Sequence, residues 1–180
     1  MLNIAVFVSG GGTDLQSVID ACEKGQINGQ IKLVISNRQN AYGLERAKKT
    51  GIETAVVKKD DALIVSMLKE RDIDLVVLAG YLAILTDTLI DAYPNQIINI
   101  HPSLIPSFCG SGMYGMHVHD AVLKRGVKVS GATVHFVSSE VDGGPIIKQV
   151  ACDISDLETA EDIQARVLEI EHRILPEVVG

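Results

Sequence analysis

The sequence predicts a single α/β domain in which a mostly parallel, twisted sheet carries helices on both faces. Short apolar segments alternate with amphipathic segments over the first hundred residues, a pattern typical of right-handed strand–helix–strand crossovers. The chain has 180 residues, which suits one domain. Trp is absent and aromatic residues make up 4% of the chain, so we expect a core of aliphatic strands covered by helices.

The first five strands are predicted from apolar runs, four of which lead into helical patterns. Leu63, Met67 and Leu68 are expected on one side of the third helix. The fourth helix is expected to end before Pro94, which cannot continue it. The strands are predicted over residues 3–8, 31–35, 54–57, 75–79 and 97–100, and the helices over 15–22, 43–49, 62–71 and 86–92.

The periodic pattern stops after His101. Residues 102–116 contain two prolines and three glycines without periodicity, and a loop of this length in a compact domain usually has a function. Beyond it we expect a helix over 117–124, strands over 131–137 and 146–150 as an antiparallel addition, and a closing helix over 158–179. No repeat or linker interrupts this order, so one domain is predicted to cover residues 1–180.

Composition argues against several classes of function. The formal net charge of -7 disfavours nucleic-acid binding, which requires a basic face. The three cysteines show neither zinc spacing nor a disulfide framework, which favours a reducing compartment. The apolar N-terminal run is too short to span a bilayer and lacks a charged leader, so we expect a cytoplasmic protein that does not enter membranes.

A glycine-rich segment, Ser9-Gly10-Gly11-Gly12-Thr13-Asp14, joins the first strand to the first helix. Its amides and the helix N-terminus could hold a phosphate, and the alternative is a plain turn in which Thr13 or Asp14 caps the helix. The segment is neither a dinucleotide fingerprint nor a P-loop, because both spacings fail.

Asn99 and His101 lie two residues apart at the end of a predicted parallel strand, so both side chains should point the same way. Open α/β sheets place their active sites at such strand ends. Residues 140–145 contain Asp142 in a turn-forming Asp-Gly-Gly context. That segment is either a simple hairpin or the source of a carboxylate that orients His101 and stabilises its protonated form.

Other histidines carry weaker signals. His117 and His119 have no Cys or acidic partner that would complete a metal shell, so no metal is expected. His135 and Thr133 alternate along a predicted strand, where they could form either a sheet face or the wall of a pocket.

Together these segments resemble the glycinamide ribonucleotide formyltransferase family, one of the folate-dependent formyltransferases, over nearly the whole chain. The resemblance is carried, in order, by SGGGTDLQ, SNR, LAGYLAIL, NIHPSLIPSF, GATVHFVSSEVDGGPII and EHRILPE.

The resemblance implies a Rossmann-like fold, with 10-formyltetrahydrofolate as co-substrate and no metal. Its catalytic residues would be Asn99, His101 and Asp142, acting when an amine attacks the formyl carbon. The nucleotide would be bound by Gly11, Gly12, Thr13, Asp14, Pro102 and Glu171. The folate would contact Leu82, Ala83, Ile84, Leu85, Val141, Gly143 and Gly144, with His135 and Thr133 as pocket walls.

Three positions depart from the family pattern. The family usually has Asn where Asp14 stands, and an ionised Asp beside a phosphate is repulsive unless it turns away to cap the helix. Many members have Arg where Ala83 stands. Residues 58–64 lack the family's Ser-Arg-Glu, so Lys58 or Lys59 is the candidate phosphate partner.

Two alternative functions share the same motifs. A formyltetrahydrofolate hydrolase would release formate, and a catalytically silent protein would bind nucleotide or folate without turnover. A tRNA-specific formyltransferase would need a more basic surface and a further domain. The expected partners are therefore the two small-molecule substrates, and the protein is expected to be a monomer or homodimer.

Overall fold

The computed structural model describes residues 1–180 as seven strands and six helices. The strands are β1 (Leu2–Val8), β2 (Gly29–Ser36), β3 (Glu53–Val56), β4 (Leu75–Leu78), β5 (Ile97–His101), β6 (Val129–Phe136) and β7 (Ile146–Asp153). The helices are α1 (Thr13–Glu23), α2 (Tyr42–Lys49), α3 (Asp61–Glu70), α4 (Asp87–Ala92), α5 (Met116–Arg125) and α6 (Ala160–Val179).

All strands belong to one sheet with the order β3-β2-β1-β4-β5-β6-β7. The first five strands are parallel, whereas β6 runs antiparallel to β5 and β7 antiparallel to β6. The predicted fold class, a mostly parallel sheet with an antiparallel addition, is therefore confirmed. The strand order reverses between β1 and β4, so their carboxyl ends open a crevice of the kind that binds ligands in open α/β sheets.

The sheet separates two hydrophobic cores, and β1 shows why. Its side chains alternate, so that Ile4, Val6 and Val8 join the larger core while Ala5 and Phe7 join the smaller one. Residues of α1, α2, α5 and α6 contribute to the larger core, and residues of α3 and α4 contribute to the smaller one. Both faces of β1 are fully buried, as expected for the centre of a parallel sheet.

Two sequence expectations need correction. Leu63 is 47% exposed, and the buried residues of α3 are Ile64 and Leu68, because the helix packs against the smaller core through those two positions. β7 continues three residues past the predicted end at residue 150. Its final residues pair with β6, and their side chains alternate between exposed and partly buried. The prediction ended too early because these residues do not form a long apolar run.

No helix combines the length and apolar character needed to cross a membrane. All three cysteines are free thiols.

Candidate active site

The side chains of Asn99 and His101 project from the same face of β5, and both residues pair with the antiparallel strand β6. The register places Asn99 opposite His135 and His101 opposite Thr133. Side chains of directly opposed residues in an antiparallel pair lie within contact distance. The antiparallel addition thus brings His135 to the carboxyl end of the parallel sheet.

The Asn99–His135 pair has a defined hydrogen-bonding direction. His135 Nδ1 lies 2.8 Å from the carbonyl oxygen of Phe136, so Nδ1 carries the proton and donates it. Nε2 is then an acceptor for Asn99 Nδ2 at 3.1 Å. Burial lowers the pKa of His135, which keeps the ring neutral and preserves this arrangement. The second N–H of the Asn99 amide is left for another acceptor.

His101 is held by the loop that follows β5. Its Nε2 lies 2.8 Å from the carbonyl oxygen of Phe108, which can only accept, so Nε2 donates. Phe108 has a left-handed backbone conformation, with φ at 51°, and the Ser103 hydroxyl donates to the same carbonyl at 3.2 Å. The imidazole is therefore fixed with Nδ1 as the nitrogen available to a partner.

Asp142 provides that partner. Its Oδ2 lies 3.8 Å from His101 Nδ1 and its Oδ1 lies 3.8 Å from His135 Nε2. The Gly110 amide donates to Oδ2 at 2.9 Å and fixes the carboxylate between the two rings. Asp142 has a left-handed backbone conformation, with φ at 54°, which turns its largely buried side chain inward from an otherwise exposed turn.

These groups line a cleft of about 260 Å³. The cleft is also lined by Leu82, Ala83, Ile84, Leu85 and Val141, which the family resemblance assigned to the folate, and by Pro102, which it assigned to the nucleotide. Four exposed apolar side chains, Leu82, Ile84, Tyr114 and Val141, are grouped on this cleft, and such a group is typical of a ligand-binding groove. The cleft thus combines an apolar wall with the three polar groups at one end.

Three residues predicted for the folate pocket, Thr133, Gly143 and Gly144, do not line the cleft. Thr133 is fully buried beneath it, where its hydroxyl donates to the Ser103 carbonyl and accepts from the Ile105 amide. A Cβ at Gly144 would lie 1.8 Å from the Phe136 carbonyl oxygen, and one at Gly143 would meet the Glu140 side chain. These positions therefore support the turn that carries Asp142.

The glycine turn, residues 9–12 between β1 and α1, has the geometry of an anion site. Gly12 is the N-cap residue with φ at 73°, and no side chain caps the helix. The amides of the first turn of α1 are therefore available to a ligand. A Cβ at Gly12 would lie 2.6 Å from Gly43 Cα, whereas one at Gly10 or Gly11 would meet nothing within 4 Å. Open space thus lies over the turn.

Ser9 connects this turn to two neighbouring ones. Its hydroxyl donates to Asn37 Oδ1 at 2.5 Å and accepts from the Leu82 amide at 2.8 Å. The turns that follow β1, β2 and β4 are therefore joined through one side chain.

Basic residues stand beside the glycine turn. Arg46 donates to the Gly11 carbonyl oxygen at 2.7 Å. Lys58 and Arg38 line a shallow depression of about 360 Å³ after β2 and β3, together with Asn37. Of the two candidate phosphate partners, Lys58 and Lys59, Lys58 is the one that shares this depression with Arg38.

Asp14 and Glu171 meet at the other side of the glycine turn. Both are buried, Asp14 in the first turn of α1 and Glu171 in the middle of α6. Asp14 is not the cap of α1, because Gly12 occupies that position.

Sequence reasoning missed the backbone groups that orient the site. The Phe108 carbonyl and the Gly110 amide carry no side-chain signal, and only the glycine-rich loop containing them pointed to function. It also did not assign His119 to the site, although this residue is 2% exposed, has an unpartnered Nδ1 and lies close enough to His101 for that ring to help lower the pKa of His119. Burial lowers the pKa of His119 to about 4, so this ring is neutral.

No group of three or more His, Cys, Asp or Glu side chains is arranged to hold a metal ion. His117 is exposed and packs edge-on against Tyr114, whereas His119 points into the interior.

Known proteins resemble this chain over nearly its whole length. The formyl transferase family model matches residues 2–179. The phosphoribosylglycinamide formyltransferase of Escherichia coli is 39% identical over 187 residues, which cover 99% of this chain and 86% of that protein. The chloroplastic phosphoribosylglycinamide formyltransferase of Arabidopsis thaliana is 41% identical, over 98% of this chain. The chain spans 64% of that plant protein and 59% of its Vigna unguiculata counterpart.

The fold of this chain also matches that of a solved structure. Glycinamide ribonucleotide transformylase 1 from Symbiobacterium toebii superposes with a TM-score of 0.93 at 42% identity, covering 99% of this chain and 86% of that one. The resemblance inferred from the motifs is confirmed by a family match over almost every residue. This chain therefore belongs to the formyl transferase family.

Proposed function

We propose that this protein transfers the formyl group of 10-formyltetrahydrofolate to the amine of glycinamide ribonucleotide, a step of purine biosynthesis. The observation that carries the proposal is the convergence of Asn99, His101 and Asp142 at one end of a partly apolar cleft. The names of the relatives from E. coli and S. toebii support the choice of nucleotide.

The reaction needs stabilisation of negative charge on the formyl oxygen. The neutral amine attacks the formyl carbon, the C=O electron pair moves to oxygen, and a tetrahedral intermediate forms. The N–H of Asn99 that His135 does not use can donate to this oxygen. Loss of one such donor typically costs about 3 kcal/mol of barrier.

Protons must then move from the attacking amine to N10 of the folate, which leaves as the C–N bond breaks. His101 in its protonated form would present Nδ1–H, because Nε2 is committed to the Phe108 carbonyl. Asp142, 3.8 Å from Nδ1, stabilises that positive charge and can pass a proton directly or through water.

The two substrates would approach from different sides. The pterin ring fits the apolar wall formed by residues 82–85 and Val141, where Ala83 supplies no cation. The nucleotide phosphate fits the glycine turn and the uncapped start of α1, with Lys58 as the nearby cation in place of the missing arginine. The proposal requires no metal, and a cytoplasmic monomer or homodimer remains the prediction from sequence.

The test is a turnover assay with glycinamide ribonucleotide and a 10-formyl folate, following folate deformylation by absorbance. We expect turnover that depends on the nucleotide. Deformylation without nucleotide would instead support the hydrolase. Binding of both ligands by the folded protein without turnover would support the silent binding protein.

Two substitutions test the assigned residues. Asn99→Ala and His101→Ala are each expected to lower kcat by about a hundredfold or more while the protein stays folded, because the first removes a donor to the developing charge and the second removes the group that moves the proton. His117→Ala, at an exposed histidine outside the cleft, is the matched control. Near-normal kcat in either cleft variant would remove that residue from the mechanism.

A further inference from the structure

Two carboxyl groups face each other in the interior beside the glycine turn. Asp14 is 9% exposed and Glu171 is 5% exposed, and the two side chains are within hydrogen-bonding reach of each other. Two buried carboxylates in contact cannot both be ionised without a large electrostatic cost. At least one proton must therefore reside on the pair.

Burial and the mutual contact decide where that proton lies. Burial raises the pKa of Asp14 to about 6, and burial together with the charge of Asp14 raises the pKa of Glu171 well above its usual 4.5. Glu171 is thus the group that holds the shared proton, and it can donate that proton to the Asp14 carboxylate. Below about pH 6 both groups are protonated, and above it the pair has one negative charge.

The surrounding cations do not neutralise this charge. His172 Nε2 lies 3.6 Å from Asp14 Oδ1, and neither buried atom has a hydrogen-bond partner. Burial and the nearby Arg46 lower the pKa of His172, so its ring is neutral at pH 7. Arg46 itself donates to the Gly11 carbonyl and lies 3.4 Å from Gln16 Oε1. Asp14 is therefore ionised without a charged partner.

We propose that the Asp14–Glu171 pair makes nucleotide binding proton-linked, so that Asp14 takes up a proton when a phosphate occupies the glycine turn. This inference rests on the proposed function, because it needs a phosphorylated substrate at that turn. It goes beyond that function in assigning a pH-dependent affinity to this chain and in naming the group that causes it.

The coupling follows from position. Asp14 is the second residue of α1, and the amides of that uncapped turn are the donors expected to hold the phosphate. The phosphate and the Asp14 carboxylate would share one helix N-terminus and repel each other in a poorly solvated place. Protonation of Asp14 removes the repulsion and leaves a hydroxyl that can donate a hydrogen bond. The complex therefore favours the doubly protonated pair.

The test is calorimetric titration of glycinamide ribonucleotide into the wild-type protein and into Asp14→Asn, at pH 7.5 in two buffers of different ionisation enthalpy. The ligand's own phosphate and amine exchange protons in both proteins, so the difference isolates the pair. We expect the wild type to take up more protons, by about 0.2 per nucleotide bound, because only the wild type has the Asp14 carboxyl. Asp14→Ser serves as a second variant.

Affinity gives a second readout. Between pH 6 and pH 8 the dissociation constant of the wild type should rise about fivefold more than that of Asp14→Asn, and the two should agree near pH 5.5. Asp20→Asn removes the same charge from a more distant position on α1, so it should behave like the wild type.

Equal proton uptake and equal pH dependence in the wild type and Asp14→Asn would overturn the coupling and leave formyl transfer intact. Absence of nucleotide binding to any of the folded proteins would contradict both the coupling and the proposed function.

Discussion

In this site, hydrogen bonds to neighbouring groups fix how the side chains of Asn99 and His135 are oriented. The Phe136 carbonyl fixes the His135 tautomer, and that tautomer in turn fixes which way the Asn99 amide faces. Without the His135 acceptor, the Asn99 amide could rotate and present its oxygen to a developing negative charge. His135 is therefore a positioning residue in the proposed mechanism.

This role gives a prediction for His135. Replacement by Leu should lower kcat about tenfold with little change in KM for the nucleotide, because the donor remains but loses its orientation. His135→Gln, which keeps an acceptor, should recover part of the loss. Steady-state kinetics and circular dichroism of both variants provide the measurement. Equal losses in the two variants would reduce His135 to a packing role.

The strand-end pattern drew attention to Asn99 and His101, whereas the choice of Asp142 over a simple hairpin came only from the family resemblance. The sequence could not show that Nε2 of His101 is bound to the Phe108 carbonyl, since a main-chain acceptor leaves no trace in residue type. The pairing of Asp14 with Glu171 was also hidden, because more than 150 residues separate them along the chain and only the packing of α1 against α6 joins them.

At the scale of elements, β6 and the turn after it determine where Asp142 lies. The Phe136 amide donates to the Pro145 carbonyl at 2.9 Å, which closes the turn onto the end of β6. Gly144 lies inside this closure, with no room for a side chain against the Phe136 carbonyl. The main chain of this turn therefore determines the position of the Asp142 carboxylate.

We predict that Gly144→Ala destabilises the protein by about 2 kcal/mol or more, because a Cβ there would clash with main chain that cannot move without breaking the strand. Gly143→Ala is the matched control, since its Cβ would meet only the flexible end of Glu140. Denaturant unfolding of both variants measures the difference. Equal stabilities would mean that the turn adapts freely.

The strands, most helices and the loop between β5 and α5 were predicted from the sequence, but the path of that loop was not. The strands from β1 to β5 are short apolar runs, for which burial alone decides the conformation. The loop after β5 is shaped by left-handed residues such as Phe108 and by contacts with β6. Those contacts depend on the assembled sheet, so the sequence could predict a loop at this position but not its path.

For the whole molecule, the buried ionisable groups determine how stability depends on pH. The pKa of Asp14 is raised in the folded state, so its stabilising contribution is present below its usual value of 3.8 and is lost as pH rises through about 6. The pKa of His119 is lowered to about 4, so its contribution is present above its usual value of 6.5 and is lost as pH falls towards 4.

Asp14→Asn should therefore raise the free energy of unfolding by about 2 kcal/mol at pH 8 and leave it nearly unchanged at pH 4. The contribution of His119 is common to both proteins and cancels in the comparison. Urea unfolding of wild type and variant across this range is the measurement. A difference that stayed constant with pH would show that Asp14 does not titrate in the folded protein.

The hydroxyl of Ser9 has a consequence for the kinetics of a two-substrate enzyme. Because it connects the turns after β1, β2 and β4, the segment expected to hold the phosphate and the segment that begins the pterin wall are restrained together. The first ligand to bind would then restrict the motion of both segments, and the second would lose less conformational entropy on arrival. The two substrates should therefore bind synergistically, each lowering the dissociation constant of the other.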